Sequence, residues 1–174
     1  MTDSITITLP WPDPALSQND RRHRMAKGGE RAATLSAREY AAWAFVEAGG
    51  RFLFMNGVPR LVWEFNPPSR HRRDLPNFIA RVKPSIDGIA DALGIDDTHF
   101  ENIWPLRFGP VIKGGRVRVC VASDRYWQQR LISRVSGAIA LASDGKNVSL
   151  GDAAIAAIDA YEATYTIPET INGG

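Results

Sequence analysis

A basic run, Arg70-His71-Arg72-Arg73, breaks directly onto Asp74. Lys83, Asp87 and Asp91 follow at four-residue intervals, and the adjacent pair Asp96-Asp97 comes next. Clustered carboxylates beside cations are what metal-assisted phosphodiester hydrolysis uses. Carboxylate oxygens hold a hydrated magnesium ion while phosphate oxygens complete its shell. A lysine stands near the negative charge that develops, and arginines track the backbone. The same residues also suit ordinary structural roles: Asp74 as a helix cap, Asp96-Asp97 at a loop end, and Lys83 and Asp87 as a surface pair. A second basic cluster, Arg21, Arg22, Arg24 and Lys27, lies with Asn19 in an aperiodic stretch from Ser17 to Ala33. This stretch reads either as a solvated loop or as a flap that grasps a nucleic-acid strand. Of His23, His71 and His99, only His99 stands close enough to the acidic pair to be a candidate ligand or base.

The rest of the composition narrows the class. At 174 residues, 44% hydrophobic and 23% charged, the chain suits one globular domain with an appendage. A net charge of +2 carries little information beyond where the charges sit. The single cysteine, Cys120, excludes an internal disulfide and a Cys-rich zinc site and fits a reducing cytoplasm. It alternates with Val119 and Val121, which makes it a strand residue rather than a nucleophile. No apolar run has the length of a membrane span, and the N-terminus lacks a signal-peptide layout.

Several elements must position these groups. Ile5, Ile7 and Leu9 alternate with threonines as a half-buried strand, ended by three prolines from Pro10 to Pro14. Ser36 and Glu39 form a capping box that starts a helix running to about Ala48, with Tyr40, Trp43, Ala44 and Glu47 on its packed face. Strands are expected near 51–55 and 60–65, joined at Asn56-Gly57 by a type I′ turn. Leu75 to Leu93 carries an apolar stripe at helical spacing, capped by Asp74 and ended by Gly94. Pro84 bends it or divides it into two pieces. Lys83, Asp87 and Asp91 then share one exposed edge. Val111-Ile112 and Val117–Val121 read as a hairpin with a basic outer face. Ser123 or Asp124 caps a further helix, and a last amphipathic segment spans about Ser149 to Ala163. These elements make an α/β (α+β) fold, a small mixed sheet with helices packed on it. Residues 1–123 form the core, and residues 124–174 form a helical extension that packs on the core or dimerises it.

Three stretches together, Arg73-Asp74-Leu75-Pro76-Asn77, Lys83-Pro84-Ser85-Ile86-Asp87-Gly88 and Gly94-Ile95-Asp96-Asp97, resemble the RusA-type Holliday-junction resolvases of bacteria and their phages. The family pattern is Arg-Asp-x-Asp-Asn, a lysine followed four residues later by aspartate, and an Asp-Asp pair after a glycine. An N-terminal strand leading to a proline-rich turn and Asn19, and a strand ending in Pro67-Pro68, also fit. The likeness extends from about Ile5 to Val121. It implies a homodimer that grips branched DNA and nicks it with Mg2+, Mn2+ being a possible substitute, without an organic cofactor or a membrane. It places catalysis on Asp74, Lys83, Asp96 and Asp97, and metal binding on Asp74, Asp87, Asp96 and Asp97. DNA contacts fall to Asn19, Arg21, Arg22, Arg24, Lys27, Arg70, Arg72, Arg73 and Asn77. One departure is specific: Pro76 stands where the family carries its second aspartate. A relative that binds branched DNA without cutting it is the alternative.

Overall fold

The structure, a computed structural model, describes residues 3–17, 27–53, 57–71, 73–102, 107–143, 156 and 159–160. Alternating apolar residues make three strands long enough to pair along their length: β1 (Ser4–Pro10), β2 (Pro59–Asn66) and a late strand, Arg116–Ser123. Between them lie helix α1 (Lys27–Glu47), helix α2 (Leu75–Leu93) and two-residue strands β3 (Glu101–Asn102) and β4 (Arg107–Phe108). The late strand is therefore β5, and helix α3 (Asp124–Ser143) follows it directly. β5 is central, antiparallel to both β1 and β2, while β3 and β4 pair parallel to the far edge of β2. The result is a small α+β fold on a mixed sheet.

One sheet face carries Ile5, Ile7 and Leu9 of β1, Leu61, Trp63 and Phe65 of β2, and Val117, Val119 and Val121 of β5. These pack against Ala41 and Phe45 of α1 and Phe78, Val82, Ile86 and Ile89 of α2. On the opposite face Val62, Cys120 and Ala122 meet Trp127 of α3. The expected basic outer face of β5 is thus covered at Arg118, while Arg116 at the start of the strand stays exposed. Arg118 is only 8% exposed and pairs across the strands with Glu64 at 2.9 Å. Glu64 also accepts from Asn66, which accepts from Arg116, so the buried polar groups satisfy one another. Burial pushes the Cys120 thiol up in pKa, in keeping with a packed strand residue.

Several local expectations are corrected. α1 begins at Lys27, so part of the stretch read as a loop is helical and Ser36 is an interior residue. Once a helix is nucleated, each added alanine, arginine or glutamate extends it cheaply, and Glu30 to Ala33 are of that kind. The packed face of α1 is also turned from the expected one. Ala41 and Phe45 are fully buried, whereas Tyr40 and Trp43 are 41% and 58% exposed. The cause is the helix crossing: a Cβ on Gly88 of α2 would sit 2.1 Å from the Arg38 carbonyl oxygen. Backbones this close admit only small residues between them, and the two aromatics are turned outward.

Where a strand was expected from 51 to 55, Gly50–Phe52 is a turn of 3-10 helix and Leu53 makes an isolated bridge. Residues 54–56 lie outside the described set, and Gly57 has the positive φ expected of it, 94°. Val111 and Ile112 form no hairpin with β5. Gly109 and Ile112 instead donate to Phe65 and Pro67 carbonyls, extending along β2. Finally, α2 is one continuous helix through Pro84, not two pieces. Apolar residues are buried on both sides of Pro84. At about 1.5–3 kcal/mol for each fully buried large side chain, they outweigh the roughly 3 kcal/mol cost of an interior proline. Gly94 ends α2 with φ 70°, as expected.

β5 ends at Ser123 and α3 begins directly at Asp124. Ser123 Oγ accepts from the Tyr126 N–H at 3.3 Å, and Trp127 is 1% exposed on the sheet. Of the segment from Ser149 to Ala163, residues 156, 159 and 160 are described, all helical. Among the described residues no helix is long and apolar enough to cross a membrane.

Candidate active site

Helix α2 puts Lys83 and Asp87 one turn apart on the same edge, and Lys83 Nζ donates to Asp87 Oδ1 at 2.5 Å. The turn that follows α2 brings up Asp97, whose Oδ2 accepts from the same ammonium. Lys83 thus stands between carboxylates from two separate elements, with its side chain half exposed. Partial burial works to lower its pKa. Hydrogen bonds and charge from Asp87 and Asp97 outweigh that and raise it, so Lys83 remains a cation at neutral pH. Exposed ion pairs contribute little to stability. Two carboxylates sharing one ammonium also leave a net negative charge, which is poor design for stability alone and useful for attracting a cation.

Asp96 and Asp97, adjacent in sequence, have different work. Asp96 caps the 3-10 turn Asp97–His99: its Oδ1 accepts from the Thr98 N–H at 2.9 Å and from Thr98 Oγ1 at 2.6 Å. These bonds hold the Asp96 carboxyl below the usual aspartate range. Asp96 therefore builds the turn that aims Asp97 at Lys83, and of the pair it is Asp97 that contacts the ammonium. His99 Nδ1 lies 3.1 Å from the Asp96 carbonyl oxygen, so the same turn orients its ring.

A consequence can be measured. Because the folded-state pKa of Asp96 is lowered, its contribution to stability is present above the ordinary aspartate range and is lost as pH falls through the lowered value. Thr98→Val removes the hydroxyl donor, so the Asp96 titration followed by carboxyl NMR is expected to move up toward the ordinary value. An unmoved titration would assign the shift to another cause.

Asp74 stands apart from this cluster. It takes the N-cap position of α2 with no capping bond from its side chain. Its Oδ2 instead accepts from Asn77 Nδ2 at 2.7 Å. Asp74 precedes Lys83 by nine residues, about 13 Å of helix rise, and Asn77 lies about 120° round the helix from Lys83. Among the described residues no three histidine, cysteine, aspartate or glutamate side chains converge to hold a metal ion. Asp91, expected on the Lys83 edge, turns to α1, where Arg38 holds it with two bonds of 2.6 and 2.8 Å.

The basic run divides as well. Arg70 is exposed. Arg73 is committed to its own loop, donating to the carbonyls of Ser69 and His71 at 2.7 Å and to Ser69 Oγ at 2.8 Å, and it lies over the Trp11 ring at 5.3 Å. It shapes the loop that delivers Asp74. Asn19, Arg21, Arg22, Arg24 and Arg72 fall outside the described residues, and Lys27 supplies the first residue of α1.

Thr98, Gly88 and the Arg38–Asp91 pair were not found from the sequence. Asp96-Asp97-Thr98 does carry a turn signal, an aspartate two residues before a hydroxyl-bearing residue. A glycine in mid-helix, Gly88, is itself a sign of close backbone approach.

No family model matches the chain. It is 41% identical over 118 residues to an uncharacterized protein of Xylella fastidiosa (strain Temecula1 / ATCC 700964), covering 67% of this chain and 74% of the other. The chain belongs to the family of that protein. The site described above is thus a property of a member of that family.

Proposed function

We propose that this protein is a magnesium-dependent endonuclease that binds and nicks branched DNA of the four-way-junction kind. The observation that carries the reading is the exposed Lys83 ammonium held between Asp87 and Asp97, which come from different elements. The order of Asp74, Asn77, Lys83, Asp87 and Asp97 along the chain, beside exposed Arg70, supports it, as does the resemblance to RusA-type resolvases. That resemblance further suggests a homodimer, cytoplasmic and phage- or prophage-encoded, acting in DNA recombination and repair.

The donor set suits magnesium bound in the presence of substrate. Such ions keep several waters and take one or two protein carboxylates plus phosphate oxygens, so a three-carboxylate cage is not required. With Asp74 apart at the start of α2 and Asp96 committed to its turn, Asp87 and Asp97 would hold the ion. When bound, it polarises the phosphoryl oxygens and makes a water more nucleophilic. The chain's own contributions are distinct. Lys83 holds a positive charge where negative charge builds on the phosphate. Asn77 orients the Asp74 carboxylate through its amide. Arg70 offers a cation to the DNA backbone, and its neutralisation of phosphate makes binding weaken as salt rises.

Incubation of an end-labelled four-way junction with protein and magnesium tests this reading. Paired nicks that vanish on removing magnesium are expected. No nicking in magnesium or manganese would sink the nuclease reading.

A second reading is favoured by Pro76 and by the absence of a three-ligand group among the described residues. In it the chain recognises branched DNA without cutting. Pro76 occupies the first turn of α2, where a missing N–H costs nothing, so aspartate is tolerated there equally well. Tight junction binding without nicking, together with cleavage gained by Pro76→Asp, would decide for this second reading.

A further inference from the structure

Across α2 from Lys83 lies a cleft of about 650 Å³ between the proline-rich loop after β1, the first half of α1 and α2. Its walls include Trp11, Tyr40 and Val82, and its polar groups include Ser36, Ser85 and Arg81. We propose that this cleft receives an unstacked nucleobase of the DNA substrate. The proposal deepens the branched-DNA reading above and rests on it.

Four observations point to a base. The first is shape and size: a largely apolar cleft of this volume with a few polar groups is what small planar ligands occupy. The second is rigidity. Trp11, packed at 4.5 Å between ring centroids against buried Phe78 and covered by Arg73 at 5.3 Å, is a wall set before anything binds, and the exposed Tyr40 offers a ring face for stacking. Aromatic side chains accept any base by stacking, because every base has a π-face.

The third is the polar chemistry. Ser85 is 8% exposed, and a hydroxyl can both donate to and accept from a base edge. Arg81 donates to the Pro12 carbonyl at 2.7 Å and so fixes the proline loop as one wall. The fourth is position. Asn77, Arg81 and Ser85 follow at four-residue intervals on one line of α2, so the cleft lies along the flank of α2 that also carries Asn77, the partner of Asp74. Arg73 lies over the Trp11 ring, which places positive charge where the phosphate attached to a captured base would pass. Branched DNA supplies such bases because pairing and stacking are interrupted at the branch point, which lowers the cost of drawing one out.

The test uses the whole protein without divalent metal, so that binding is read alone, and a four-way junction carrying 2-aminopurine at the branch point. Wild-type protein is expected to change the 2-aminopurine emission on binding. Ser36→Trp crowds the cleft mouth from an exposed position, and Tyr40→Ala removes a wall. Both are expected to weaken junction binding about tenfold, to abolish the emission change and to leave plain-duplex affinity and thermal unfolding as in wild type. Variants that bind the junction and alter its emission like wild type would overturn the cleft assignment and leave the branched-DNA reading standing. Failure of the wild-type protein to bind branched DNA would overturn both.

Discussion

Replacing Lys83 by methionine is expected to lower the rate of junction nicking by about 10²–10³-fold, the usual loss when one preorganised group facing developing charge is removed. Methionine keeps most of the length and apolar stem of lysine, and the site is half exposed, so the fold should be retained. What disappears is the charge between Asp87 and Asp97, which then face each other across the space the ammonium held. DNA affinity should fall far less than the rate, because one cation among many phosphate contacts is lost. Single-turnover nicking at saturating protein separates the two. An equal fall in rate and affinity would make Lys83 a backbone contact, and an unchanged rate would remove it from the site. Lys83→Arg keeps the charge in a planar, forked group and should recover only part of the rate.

Gly88→Ala carries the largest expected effect on stability. The added methyl carbon would lie 2.1 Å from the Arg38 carbonyl oxygen, 2.9 Å from its carbonyl carbon and 3.2 Å from the Ala42 nitrogen. All three are backbone atoms, so relief requires α1 and α2 to move apart. That movement loosens Ala41 and Phe45 of α1 from Ile86 and Ile89 of α2. Overpacking of this kind costs typically 1–3 kcal/mol and occasionally more, against a gain of roughly 1 kcal/mol from better helix propensity. With both helices displaced the cost lies at the upper end, so a net loss of about 2 kcal/mol is expected. In a chain of this size that lowers the melting temperature by roughly 4–8 °C. Calorimetry or a chemical denaturation midpoint reads it directly. A melting temperature unchanged or raised would show that the crossing has slack. Because α2 carries Lys83 and Asp87 while the turn after it carries Asp97, a shifted α2 should also separate the carboxylates and reduce any nicking.

The pattern of residues determined much of this molecule before any tertiary contact. Hydrophobic alternation placed β1, β2 and β5, and the stripe from Phe78 to Leu93 placed α2 to the residue, because burial of one face is a periodic demand written locally. Lys83 and Asp87 were paired by helix geometry alone, and Gly94 was legible because few other residues accept a positive φ. What needed the folded structure was everything set by close approach between distant segments. Nothing near Tyr40 and Trp43 says that they face outward; the proximity of Gly88 to Arg38, fifty residues away, decides it. Nothing in Arg118 announces a buried partner; register against Glu64 across two strands supplies one. The division of Asp96 from Asp97 is likewise tertiary. Adjacent aspartates are chemically equal in sequence, and only the turn, with Thr98 on one carboxylate and Lys83 on the other, makes one a brace and the other a candidate catalytic group.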